Sequence, residues 1–244
     1  MLWYKAWLES RTRFLLAVLT IAGFCACSVL LHRDGVRMFD RPPTYLEYIW
    51  ELVYKGYLRE LFLLLTLLLG VGGLLRERDF GTTSFTLALP VTRLRLISVR
   101  AVLGLAEVVV LSLLPALVIP SLSRLTRQSY PWSEALQFAV LWAVVGGLIF
   151  MMGFLASSLF GGEYTAPVVA FLGWLVYSVV ADLPFFERHS LDVNDIMSGK
   201  GMPYFQQNGS LLAGPIPWNA LGAILLLVFN LVALSGRITR QQDF

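Results

Sequence analysis

Charge is what this sequence has least of. Only 14% of its 244 residues are Asp, Glu, Lys or Arg, while 57% are hydrophobic. A soluble domain carries about 25% charged residues, so the apolar surface of a globule this oily could not be covered. Disorder, a collagen-like repeat, a disulfide scaffold and a free nucleic-acid-binding domain are excluded by the same composition. Lysine is scarcer still, with Lys5, Lys55 and Lys200 alone. A phosphate-cradling P-loop requires G-x-x-x-x-G-K-[ST], and Lys200 in SGKG lacks both the upstream glycine and the following Ser or Thr. Histidine is limited to His32 and His189, and no H-E-x-x-H is present. ATP hydrolysis through a P-loop, catalytic metal chemistry and a Ser–His–Asp set are therefore not expected from this chain, and no metal site is assigned. The two cysteines, Cys25 and Cys27, are two residues apart in an apolar run. On a helix they point about 200° apart, which argues against a disulfide between them.

What the sequence does have is long apolar runs, with a mean hydropathy of +0.70. A membrane helix needs about 20 predominantly apolar residues, so the chain reads as an all-α polytopic membrane protein forming one domain over residues 1–244. Six spans are expected, near 14–31, 54–75, 96–120, 134–160, 164–183 and 217–236. Ahead of the first, LWYKAWLESRTR reads as an interfacial helix over residues 2–13. Trp3 and Trp7 would anchor one face, and Lys5, Glu9 and Arg13 would line another. Tyr45, Tyr48, Trp50, Tyr54 and Tyr57 crowd the approach to the second span, as aromatic residues do at a membrane surface. Pro115 and Pro120 predict a kink late in the third span, and Pro167 falls in the first turn of the fifth, where its missing N–H costs least. Six spans place both termini on one side. Basic residues divide almost evenly between the two sides, but they are denser in the shorter segments that share the side of the termini. That density favours cytoplasmic termini.

Polar groups inside the spans are the candidate functional residues. Glu107 sits deep in the third span, where an ionised side chain costs roughly 2.5–3.5 kcal/mol on insertion scales. Arg100 lies two turns earlier on nearly the same face, too far for a direct bond. Glu107 and Arg100 read either as part of a pathway or subunit interface, or as a locally paired group fixing helix packing. Gly146, Gly153, Ser157 and Gly161 form a small-residue stripe on the fourth span, joined by Gly70, Gly72 and Gly73 on the second. Such residues let helices approach closely. Asn230 is expected to hydrogen-bond to a neighbouring helix, and Asp182 to sit in water at a span end.

The most polar interior stretch is RERDFGTTSFTLALPVTRLR, residues 76–95. Gly81 permits a sharp turn, Thr82 or Thr83 can cap a short helix, and Pro90 ends it. Phe85, Leu87 and Leu89 make an apolar knob among Arg76, Arg78, Arg93 and Arg95, suited to a groove on a partner protein. A re-entrant turn packed on the chain's own helices is the alternative from these residues.

Glu77, Gly81-Thr82, Leu87, Pro90-Val91-Thr92-Arg93 and Arg100 together resemble the segment after the second membrane helix in the type-2 permease family of ATP-binding-cassette transporters. The family commonly has Lys in place of Arg100 and an acidic residue in place of Ser84. The interfacial start, the six spans, the long loop before the last span and the basic-then-Asp-Phe ending are also similar to the family. The resemblance implies a cytoplasmic coupling helix between the second and third spans, with Glu77, Arg78, Gly81, Thr82, Phe85, Leu87, Pro90 and Arg93 meeting a soluble ATPase subunit. It further implies a second permease subunit, identical or similar, and export from the cell across the inner membrane. ATP and Mg would sit on the partner ATPase, with no cofactor on this chain and no nucleic acid involved. Two other functions stay open from the residues alone: an intramembrane acid–base enzyme using Glu107, Glu163 or Asp182, and a non-transporting membrane scaffold or sensor paired with an ATPase.

Overall fold

The computed structural model describes residues 2–36, 43–71, 93–160, 165–181, 193–199, 216 and 218–241, and every regular element among them is helical. In chain order these are α1 (Leu2–Leu30), α2 (His32–Gly35), α3 (Tyr45–Ile49), a π-helical turn (Trp50–Tyr54), α4 (Tyr57–Gly70), α5 (Arg93–Ser123), α6 (Trp132–Leu159), α7 (Thr165–Ala181), α8 (Val193–Ser198) and α9 (Trp218–Gln241). Among the described residues four stretches are long and apolar enough to cross a membrane: α1, Arg95–Ser123 of α5, α6, and Trp218–Arg237 of α9. The chain is a helical membrane protein on that evidence. The helices at the other two expected spans are shorter among the described residues. The 14 residues of α4 and the 17 of α7 rise about 21 and 26 Å, less than the ~30 Å hydrocarbon core.

The expected break between an interfacial helix and the first span is absent. Leu2–Leu30 is one helix of 29 residues, because it contains no proline and a single glycine, Gly23. Its polar residues Glu9 and Ser10 are turned toward α5 rather than spent on headgroups. Cys25 is buried on this helix and Cys27 exposed, both as free thiols, as their angular separation requires. The second span starts later than expected. The chain leaves helical geometry at Gly56 (φ −96°, ψ −139°) before α4 begins. The preceding π turn closes through Lys55 N–H donating to the Trp50 carbonyl at 2.8 Å. A Cβ at Gly56 would stand 2.5 Å from the Glu51 carbonyl oxygen, so this turn requires glycine. At the head of α4, Arg59 pairs with Glu60. α5 stays helical through Pro115 and Pro120.

α6 is the central column. Phe138, Leu141, Trp142, Val145, Ile149, Phe150, Met151 and Phe154 are all buried along it, and α4, α5, α7 and α9 pack around it. It runs parallel to α4, with Phe62 beside Gly146 and Leu67 beside Gly153, and antiparallel to α5, where Val108 meets Gly146. A Cβ on Gly153 would lie 2.6 Å from the Leu67 carbonyl oxygen and 3.4 Å from Gly70 Cα, so the two backbones touch here. Ser157 is buried and donates to the Phe154 carbonyl at 2.8 Å. Gly161, Gly72 and Gly73 lie outside the described residues.

One end of the bundle is closed by the short elements. A capping box between Thr44 and Glu47 starts α3. The Tyr48 hydroxyl donates to the Ser28 carbonyl at 3.1 Å, and the Tyr45 and Ser123 hydroxyls bond at 2.6 Å. His32 packs edge-on against both tyrosine rings, with centroids 4.9 and 4.8 Å away. Tyr48 and Tyr54 are buried while Tyr57 is exposed, so much of the expected interfacial aromatic cluster is core. Burial pushes the Tyr45, Tyr48 and Tyr130 hydroxyls up from their ordinary range and holds His32 below its own. Trp50 and Trp142 donate their indole N–H groups to the Ser198 and Met197 carbonyls at 2.9 and 3.2 Å, holding the last turn of α8.

Candidate functional site

The opposite end of the bundle carries a charged cleft. It is a cavity of about 40 Å³, room for roughly two or three waters. Glu9, Ser10 and Arg13 of α1 face Arg100 and Glu107 of α5 across it, with Leu69 of α4 and Phe150 and Phe154 of α6 as the apolar wall. The walls come together because Gly104 of α5 lies against the Phe150 ring, where a Cβ would collide.

Arg100 Nη2 donates to Glu9 Oε2 at 2.8 Å, and the Arg100 side chain is only 7% exposed against 28% for Glu9. Lys5 stands 4.0 Å from the other Glu9 oxygen, one turn earlier on α1. The Ser10 hydroxyl donates to Glu107, which is buried at 4% exposure. Arg100 and Glu107 stand seven residues apart on α5, about 10 Å along the helix. Each is fastened to α1, through residues 91 and 97 positions away in sequence. Two carboxylates, Glu9 and Glu107, and two guanidinium groups, Arg13 and Arg100, line the space, so its formal charge is balanced.

Expected site residues divide in two. Arg100 and Glu107 meet in the cleft, and Arg93 opens α5 seven residues before Arg100, about 10 Å along the helix. Glu77, Arg78, Gly81, Thr82, Phe85, Leu87 and Pro90 lie outside the described residues, as do Glu163 and Asp182. The chain enters and leaves that segment beside the cleft, since Leu69 near the end of α4 and Arg100 near the start of α5 line the same space.

Glu9, Ser10 and Arg13 are the site residues that sequence reading did not place. Their signal is the polar face of Lys5, Glu9 and Arg13 at four-residue spacing ahead of an apolar run, a pattern that also fits one side of an interfacial helix. Asn230 was expected to bond between helices. Instead its Nδ2 donates to the Leu226 carbonyl of its own helix at 2.7 Å, and the side chain is exposed.

The cleft can lock α1 to α5 through the Glu9–Arg100 and Ser10–Glu107 contacts and has room to hold water. Among the described residues no group of three His, Cys, Asp or Glu side chains could hold a metal ion. No family model, curated protein or solved structure matches the chain.

Proposed function

We propose that this chain is the membrane permease subunit of an ATP-binding-cassette transporter, pairing with a second permease subunit and driven by a separate soluble ATPase. The observation that carries the reading is residues 77–100, ERDFGTTSFTLALPVTRLRLISVR. From its sequence the segment would combine a turn at Gly81, a cap at Thr82 or Thr83, an apolar knob and a terminating Pro90 among Arg76, Arg78, Arg93 and Arg95. The chain has no P-loop of its own, so the work of transport would come from ATP and Mg bound on the partner. ATP closure would push the segment, and the push would reach the bundle where α4 ends and α5 begins. A ligand shifts an inward–outward equilibrium only by its differential affinity for the two states, and here the ATPase pair supplies that difference through the knob. Export across the inner membrane with cytoplasmic termini is the direction and orientation we assign.

Co-purification from native membranes tests the partner, and flux in liposomes with ATPase turnover tests the coupling. A P-loop ATPase should be retained by the tagged chain. Glu77→Ala or Pro90→Ala should leave basal hydrolysis running while flux falls at least tenfold. Unchanged flux per ATP in both variants would remove the coupling role of the segment.

A further inference from the structure

The outward surface of α9 is patterned, and it stays exposed among the described residues. Asn219, Ala223, Leu226, Asn230, Ala233 and Arg237 are all exposed. Their spacings alternate four and three, the heptad seam of a left-handed helix pair. The residues flanking the seam are large and apolar, with Leu225, Leu227, Phe229 and Leu234 exposed beside it. The seam itself is small or polar apart from Leu226.

Asn230 is the residue that lipid cannot satisfy. It lies within the stretch Trp218–Arg237 that is long and apolar enough to span, about 18 Å along the helix from Trp218 and about 10 Å from Arg237. An amide side chain offers two N–H donors and a carbonyl acceptor. One donor goes to the Leu226 carbonyl, and no other bond to this side chain occurs among the described residues. Hydrocarbon supplies no partner for the rest.

The geometry points to this seam as the contact with a second copy of the same chain, an inference that rests on the paired-permease reading above and names its face. Around a two-fold axis parallel to α9, Asn230 meets Asn230 of the second copy. Each amide then accepts from the other's remaining N–H, a self-complementary exchange that only an isologous interface provides. Ala233 lies one step along the seam from Asn230 and Ala223 two steps the other way, beyond Leu226, and both are small enough to let the two backbones approach. Asn219 and Arg237 lie at the two ends of the span, where they meet headgroups and water.

The test is cysteine cross-linking in native membranes, in a Cys25→Ser, Cys27→Ser background, with ATPase capture measured on the same samples. Single cysteines at Ala223, Leu226, Asn230 and Ala233 should give a dimer of twice the chain mass, and cysteines at Leu225 and Phe229 should not. Asn230→Leu should weaken dimerisation in detergent about 3- to 20-fold, the range of one interhelical hydrogen bond in a membrane. Asn230→Gln should restore most of it. Cross-links absent from the seam while the ATPase is still captured would overturn the α9 interface and leave the permease reading standing. Cross-links to a polypeptide of different mass would overturn self-pairing. Seam cross-links with no ATPase captured would support the interface and count against the permease reading.

Discussion

Removing Glu9 should weaken the bundle more than removing the arginine it binds. Arg100 is 7% exposed and Glu9 28%, so their ion pair lies between a buried and a surface bridge. Breaking a buried pair from one side costs about 3–5 kcal/mol, and a surface pair contributes about 0–1 kcal/mol. Glu9→Gln takes a counter-charge 2.8 Å away from the more buried partner, and we expect a loss of about 2–3 kcal/mol. Arg100→Gln leaves Glu9 with Lys5, 4.0 Å away, and with partial solvent, so about 1 kcal/mol is expected. The double variant should lose less than the sum of the two by about 1–2 kcal/mol, because neither charge is then stranded. Reversible unfolding in mixed SDS–detergent micelles, monitored by far-UV dichroism, gives all four corners of the cycle. Additivity to within about 0.5 kcal/mol, or a larger loss for Arg100→Gln than for Glu9→Gln, would refute the reasoning.

Two further predictions concern stability away from the cleft. Gly153→Val should lower the unfolding midpoint by the equivalent of about 1–3 kcal/mol, since the added carbons meet backbone at Leu67 and Gly70 that cannot swing aside. Gly173→Ala, where nothing lies within 4 Å, should leave the midpoint unchanged or raise it. His32 is held below its ordinary value by burial, so the unfolded chain takes up its proton first as pH falls. Its contribution to stability is fully present above about pH 6.5 and is lost as pH falls through the lower folded value. Thermal midpoints in detergent should therefore drop between pH 7.5 and 5, and His32→Phe should flatten that part of the profile. An unchanged slope in the variant would assign the pH dependence to other groups.

Most helix limits were legible because long apolar runs and their breakers are local signals. Trp132–Leu159 and Arg93–Ser123 lie within a few residues of the spans read from hydropathy alone, and Pro167 sits in the first turn of α7. The opposite orientations of Cys25 and Cys27 followed from helical geometry. Spacing alone could not reveal the cleft. Glu107 declared itself by its depth, but its partner Ser10 is 97 positions away, and no local periodicity carries that distance. The same limit explains the misplaced head of α1. A polar face four residues in period looks the same whether it meets water or another helix. At Asn230 the bond the single chain shows is local, because an amide on a helix can reach the carbonyl one turn back.

The two indoles that hold α8 come from different parts of the fold, Trp50 from the π turn and Trp142 from the central column. A single helical turn has almost no stability of its own. Its last two carbonyls therefore make α8 a latch with two catches. With the Val193 N–H donating to the Tyr177 hydroxyl at 3.0 Å, the same short helix ties the π turn, the central column and α7 together.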